Sequence, residues 1–189
     1  MTIAIRRATP QDAPAIARVR IDCWRVTYRG LIPDAYLDGM QLDQSIALWD
    51  RVLAAGSADA NVFVAEHDGE VVGFAAANKL QEPRYDLDAE LSAVYVRREF
   101  QRGGVGRRLL AAVAQAQREA GAHGLIVWVI AGNKGARAFY EQLGATLLVL
   151  QPFEWDGMDL VEAGYGFRDI GALVQATAAA PAAHGSIVH

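Results

Sequence analysis

Gln101, Gly104 and Gly106 lie in the run Gln101-Arg102-Gly103-Gly104-Val105-Gly106, between a strand-like segment (Leu91 to Val96) and a long amphipathic one. A strand that feeds a glycine turn at a helix start gathers several backbone N–H groups around one point. The helix end adds a partial positive charge there. Such a mouth holds a phosphate without a lysine. Three kinds of glycine turn compete for this reading. A P-loop requires Gly, four residues and then Gly-Lys-Ser/Thr, which the chain lacks. A dinucleotide fold requires a third glycine where Leu109 stands, and an acidic residue at the end of the next strand, which closes instead on Gly132-Asn133. The third kind rests on a second block of residues, reached below.

The elements that must position this turn follow from hydrophobic spacing. Ile3 and Ile5 alternate with polar neighbours as a first strand. Thr9, Pro10 and Asp12 make a helix start, with Thr9 as cap and Asp12 reaching back. Ile16, Val19, Cys23 and Val26 share one face of that helix, which Gly30 and Pro33 break. Helices are predicted over 34–40 and 43–55. A hairpin is predicted over 61–79 with its turn at Asp68-Gly69, where both residues suit positive φ. Residues 80–88 read as a polar loop containing a proline, followed by the strand 91–96 and the glycine turn. A helix follows from Val105 to Ala120, then a continuous apolar strand from Leu125 to Ile130, buried on both faces. A helix from Asn133 to Leu143 stops at Gly144, and two last strands (146–155 and 159–167) flank Asp156-Gly157. The fold class expected is α/β (α+β): a mixed, mostly antiparallel sheet flanked by helices, with a parallel crossover near its middle.

Length and composition bound the rest. The 189 residues suit one domain over 1–169, and the 170–189 tail is alanine-rich, a short helix to about residue 176 followed by a loose arm with little to bury. The chain is 52% hydrophobic with net charge -4 and has no basic stripe, which argues against nucleic acid as a partner. One cysteine allows no internal disulfide and suits a reducing cytoplasm. The four histidines are far apart, so no metal is expected. The opening MTIAIRRATP lacks the apolar core of a signal peptide, and no stretch approaches the ~20 apolar residues of a membrane span, so a cytoplasmic location with no membrane partner is expected.

The second block is Asn133-Lys134-Gly135-Ala136-Arg137-Ala138-Phe139-Tyr140-Glu141-Gln142-Leu143-Gly144-Ala145. Together with Gln101-x-x-Gly104-x-Gly106 after a Tyr-Val strand, it resembles the paired motifs of the GNAT superfamily of N-acetyltransferases. Trp24 to Pro33 resembles the first-helix segment of many of its members, and in element order the likeness covers roughly residues 3 to 169. The resemblance implies acetyl-CoA as cofactor, a sheet with two splayed parallel strands, and acetyl transfer to a primary amine of a small molecule or peptide. On that basis Arg102, Gly103, Gly104, Val105, Gly106 and Arg107 surround the diphosphate, with Gln101 in the motif and Arg108 adding charge. Val94, Tyr95 and Val96 pair with the pantetheine arm, and an N–H near Tyr95 or Val96 polarises the thioester.

Four further assignments stay open beside structural alternatives. Tyr140 is the general-acid candidate, since a phenol with pKa ~10 is protonated at neutral pH and can donate to a leaving thiolate; the alternative is a core tyrosine. Asn133 binds the arm, caps the helix, or does both. Glu90, just before the strand, is the candidate base or an exposed strand-edge charge, and with Glu82, Asp86 and Asp88 it makes an acidic mouth or a solvated loop. Trp24 and Tyr28, spaced i, i+4, wall the acceptor pocket or pack on the sheet. The aromatic last hairpin walls the pocket or joins a second copy in a homodimer. A catalytically silent acyl-CoA-binding module and an O-acetyltransferase are the competing functions. No Cys/His/Asp set supports an acyl-enzyme, which favours direct transfer.

Overall fold

Alternating and continuous apolar runs build seven strands, and the computed structural model, which describes residues 2–56 and 60–178, joins them in one sheet of order β1-β2-β3-β4-β5-β7-β6. The strands are β1 (Ala4–Arg7), β2 (Ala60–His67), β3 (Glu70–Arg84), β4 (Leu87–Val96), β5 (Leu125–Ile130), β6 (Thr146–Trp155) and β7 (Met158–Phe167). Every neighbouring pair is antiparallel except β4 and β5. The helices are α1 (Ala13–Thr27), α2 (Asp34–Asp38), α3 (Leu42–Ala54), α4 (Val105–Glu119), α5 (Lys134–Gln142) and α6 (Ile170–Ala178). This is the mixed, mostly antiparallel sheet with flanking helices that the residue patterns predict.

One core lies between the sheet and α4, α5 and α6, with Leu109, Val113, Leu125, Tyr140 and Tyr165 in it. A second lies on the other face under α1 and α3, around Ile16, Val19, Trp49 and Phe74. A third, smaller cluster holds Trp24, Tyr28, Ile32 and Leu37, with Trp155 of the last hairpin packed against it. The start of α1 is fixed by Asp12: its Oδ2 accepts from the Thr9 N–H at 2.7 Å, and its carboxylate receives both terminal nitrogens of Arg6. Arg6 holds the Asp12 carboxyl down to about 2, helped by the Thr9 bonds and opposed by burial.

Several local expectations differ from the structure. Residues 80–88 are not a loop: β3 runs to Arg84, β4 starts at Leu87, and Tyr85 and Asp86 turn between them with φ of 54° and 62°. Leu87 explains the extension, because it continues the buried alternation of Ala89 and Leu91 and packs against the sites of Gly124 and Gly166. Pro83 falls where the ladder lapses between Lys79 and Arg84, so its missing N–H breaks no pairing. Val26 is 58% exposed, because it lines the open cleft between α1 and the segment 97–101 instead of packing on the sheet. Trp128 and Ile130 are only partly buried, so β5 is covered fully on one face and partly on the other. The short helix expected after Asp169 is present as α6, and it buries Ile170 and Leu173 against α4. The expected loose arm at 179–189 lies outside the described residues.

Candidate active site

β4 is paired with β5 only at Ala89–Leu125, Glu90–Ile126 and Leu91–Val127. Beyond Leu91 the two parallel strands separate, while β4 stays paired with β3 as far as Val96. The cause of the split is visible in β4 itself. Ser92 is an extra residue, because Ala77 faces Leu91 while Ala76 faces Ala93, and its hydroxyl donates to Ala76 O at 3.1 Å. A bulge of this kind bends the strand and changes which face later side chains take. It therefore brings Glu90 and Tyr95 to the same face, although five positions apart they would otherwise oppose each other.

The bulge also leaves polar backbone in the gap. The Arg97 N–H donates to Val72 O at 2.9 Å, so by strand alternation the amides of Tyr95 and Ala93 also point at β3. Those of Val94 and Val96 point the other way, into the gap. Across it the Ala131 N–H donates to Val161 O at 2.8 Å, so the Ile130 amide also faces the gap. The Val96 carbonyl is taken by Gln101 Nε2 at 2.8 Å. Gln101 thus acts inside the chain, tying the end of β4 to the glycine turn. Contrary to expectation, β3 uses the Tyr95 amide, and the donors that face the gap are those of Val94 and Val96.

At the end of the gap the turn opens α4. Arg102 (φ 63°) and Gly104 (φ 80°) are both left-handed. The first helical bond is made by the Arg108 N–H onto Gly104 O at 3.0 Å, so the amides of Val105, Gly106 and Arg107 precede it. Gly104 caps the helix with no side-chain bond. A Cβ on Gly106 would stand between Phe139 (3.6 Å) and Val96 (3.9 Å), at the entrance to the gap, with no clash. Internal packing therefore does not demand glycine there, whereas a chain passing between β4 and α5 would. Gly103 and Val105 complete the turn, Gly103 exposed and Val105 buried as the first apolar anchor of α4. Arg102 is exposed, Arg107 is half-buried, and Arg108 is engaged elsewhere, donating to Ile3 O at 2.9 Å. Arg97, which sequence reasoning passed over, has a buried Nε with no partner and borders a cleft of about 320 Å³ between α1 and the turn, next to Cys23 and Gln101. The Arg97-Arg98 pair directly after a strand was the available signal. Burial pushes the Cys23 thiol up to about 12, so it is an inert wall of this cleft.

Two phenols approach the gap from opposite faces of the sheet. Tyr140 of α5 belongs to the core on the α4 side, and Tyr28, the residue that caps the end of α1, to the cluster on the other. Burial raises the Tyr140 phenol above its ordinary value, and nearby Tyr28 adds to this. The Tyr28 hydroxyl lies 3.5 Å from that of Tyr95, and burial raises both phenols, that of Tyr95 strongly. Asn133 caps α5 through Oδ1, which accepts from Ala136 N at 3.1 Å. Its side-chain amide also faces Tyr28. Trp24 is packed edge-on against Trp155 and Tyr28, so it forms the floor of this region.

Glu90 lies inside β4, not before it, because Leu87 starts the strand early. It is half-buried, and burial raises its carboxyl above the ordinary range, opposed by Arg84 and reinforced by Glu162. Trp128, Ile130 and Glu162 share its face by alternation along β5 and β7. The other acids separate. Asp88 receives the backbone N–H groups of His123 (2.9 Å) and Gly124 (3.0 Å) and pins the start of β5, while Glu82 and Asp86 are exposed at the hairpin tip. Those bonds outweigh burial and hold the Asp88 carboxyl below its ordinary value. The structure thus brings Val94, Val96, Gln101, the turn 102–107, Asn133, Tyr140 and Tyr28 around one gap, with Glu90 on the sheet face that Tyr95 shares, and removes Asp88 from any acidic mouth.

Comparison with known proteins places this geometry. The model of the acetyltransferase (GNAT) family matches residues 20–145. An uncharacterised N-acetyltransferase of Bacillus subtilis (strain 168), YuaI, is 34% identical over 172 residues, covering 90% of this chain and 96% of the relative. An aminoglycoside N(6')-acetyltransferase type 1 of Stenotrophomonas maltophilia is 39% identical over 124 residues, covering 62% of this chain and 69% of the relative. The crystal structure of the PaiA N-acetyltransferase of Thermoplasma acidophilum in complex with coenzyme A superposes with a TM-score of 0.66 at 20% identity, covering 86% of this chain and 98% of that one. Among the described residues no helix is long and apolar enough to cross a membrane.

Proposed function

The chain belongs to the GNAT family of acetyltransferases, and we propose that it transfers acetyl from acetyl-CoA directly to a primary amine of a small molecule or peptide. The observation that carries this is the row of unused amides on the gap side of β4 beside a helix mouth that can take a diphosphate. Buried backbone donors require partners, and an extended arm with two amides, ending in a diphosphate, supplies them in register. Acetyl-CoA has that chemistry and brings the acyl group as an activated thioester.

The chain's own groups then divide the work. Amides of Val105 to Arg107, with Arg102 and Arg107 beside them, hold the diphosphate, and Arg97 offers a further cation at the cleft. The Val94 and Val96 amides hold the arm and polarise the thioester carbonyl, a contribution of about 3 kcal/mol for one such donor. Asn133 steadies the arm from the β5 side. Glu90 draws the proton from the incoming ammonium, directly or through water, with a raised pKa nearer the working pH than an ordinary carboxylate. The Tyr140 hydroxyl donates its proton to the thiolate as it leaves. Trp24, Tyr28 and Trp155 bound the acceptor space. A screen of amines against acetyl-CoA, read by thiol release and run beside calorimetric CoA binding, tests this. CoA binding with transfer to at least one amine is expected. Binding with no transfer to any amine would make the protein a silent acyl-CoA module, and diffraction that put the diphosphate away from 102–107 would overturn the cofactor site.

A further inference from the structure

Tyr165 is fully buried on β7, and its hydroxyl makes two side-chain hydrogen bonds to α5. It donates to Glu141 Oε1 at 2.5 Å and accepts from Arg137 Nε at 2.9 Å. Arg137 also donates through Nη1 to Ala131 O at 3.2 Å, on the link between β5 and α5. Arg137 and Glu141 are one helical turn apart on the same face of α5. Tyr140 sits between them in sequence, on an adjacent face, and its own hydroxyl has no hydrogen-bond partner among the described residues. The ring that does no chemistry is thus held by two hydrogen bonds at its hydroxyl, and the ring assigned to the chemistry is held only by packing and by the roll of its helix.

We propose that Arg137, Tyr165 and Glu141 form a positioning clamp that fixes the rotation of α5 on β7 and thereby aims the Tyr140 hydroxyl into the gap between β4 and β5. This rests on the reading of Tyr140 as proton donor. Helix α5 has only nine residues and few other polar ties to the sheet, so its roll about its own axis is the soft coordinate. A rotation that shifts a side-chain hydroxyl by about 1 Å is enough to spoil proton delivery. The tie from Arg137 to Ala131 couples the same clamp to the Asn133 cap, so both α5 groups that face the gap are set together.

Steady-state thiol release from acetyl-CoA with water as acceptor reads this step without an identified amine. Tyr165→Phe keeps the ring in the core and removes the hydroxyl. It is expected to lower kcat about tenfold with the KM for acetyl-CoA unchanged. Glu141→Gln, which keeps the acceptor oxygen, is expected to stay near the wild-type rate, and Glu141→Ala to fall with Tyr165→Phe. In a Tyr140→Phe background the Tyr165→Phe loss should vanish, because the clamp acts only through that hydroxyl. A loss that persists in the Tyr140→Phe background, or no loss at all in Tyr165→Phe, overturns the clamp while leaving Tyr140 in its role. A Tyr140→Phe protein that turns over as the wild type overturns the proton-donor reading itself, and the clamp with it.

Discussion

The two edges of β4 are treated in opposite ways. Toward β3 the strand is paired from Ala89 to Val96 with one bulge, and toward β5 it is paired at three positions and then left open. The same backbone, and often adjacent residues, serve both: the Tyr95 amide completes the sheet and those of Val94 and Val96 do not. An enzyme that grips its cofactor through main-chain amides needs donors that folding itself leaves unused, and here a single extra residue, Ser92, arranges this. Its hydroxyl on Ala76 O keeps the β3 edge satisfied while the bend opens the β5 edge.

Proline substitutions would break this comparison most sharply. Val94→Pro removes an amide no strand uses, so thiol release is expected to fall at least about 100-fold while the thermal midpoint moves little. Tyr95→Pro removes a ladder bond and costs ~3 kcal/mol or more, seen as a large drop in midpoint. Equal destabilisation by the two would show that the edges do not differ. Next in size, Tyr140→Phe should lower kcat about 100-fold with little change in the KM for acetyl-CoA; unchanged turnover at every pH would remove its role.

Gly106→Ala separates stability from binding. The new methyl enters the gap between Val96 and Phe139 without a clash, and alanine favours the helix over glycine by ~1 kcal/mol. A stable protein that binds CoA about tenfold more weakly by calorimetry is expected, and unchanged affinity would mean the arm passes elsewhere. The smallest effect concerns Glu90. As base it must be ionised, so the rate should rise with pH through its raised pKa, and Glu90→Gln should flatten that rise with a loss of about tenfold. The stability sign is opposite. Because the folded protein holds this proton more tightly than the unfolded chain, wild-type stability falls as pH rises from the ordinary carboxylate range through the raised value, and the glutamine variant lacks that fall. Parallel pH profiles for the two proteins would place the base elsewhere.

Much of the fold was legible because its signals are local. Thr9 and Asp12 close the α1 start within three residues, Asp68-Gly69 turns a hairpin, and Gly104 precedes an amphipathic stripe. The turn 101–106 and the block at Asn133 could be read for the same reason. The hairpin over 80–88 is not legible locally, because its pairing depends on Leu87 packing at Gly124 and Gly166 across the sheet, which no local pattern states. Asp88 looked like part of an acidic mouth and proved to be a clasp on the loop before β5.

The amino-acid order alone determined the helix mouth, the succession of strands and the residue types available for acyl transfer, since each is set by spacings of a few positions. Only the folded chain decided which amides stay free, that Glu90 shares a face with Tyr95, and that Arg137 and Glu141 meet Tyr165. Those outcomes hang on the register of strands brought together from distant parts of the chain, where one bulged residue reverses every side chain that follows it.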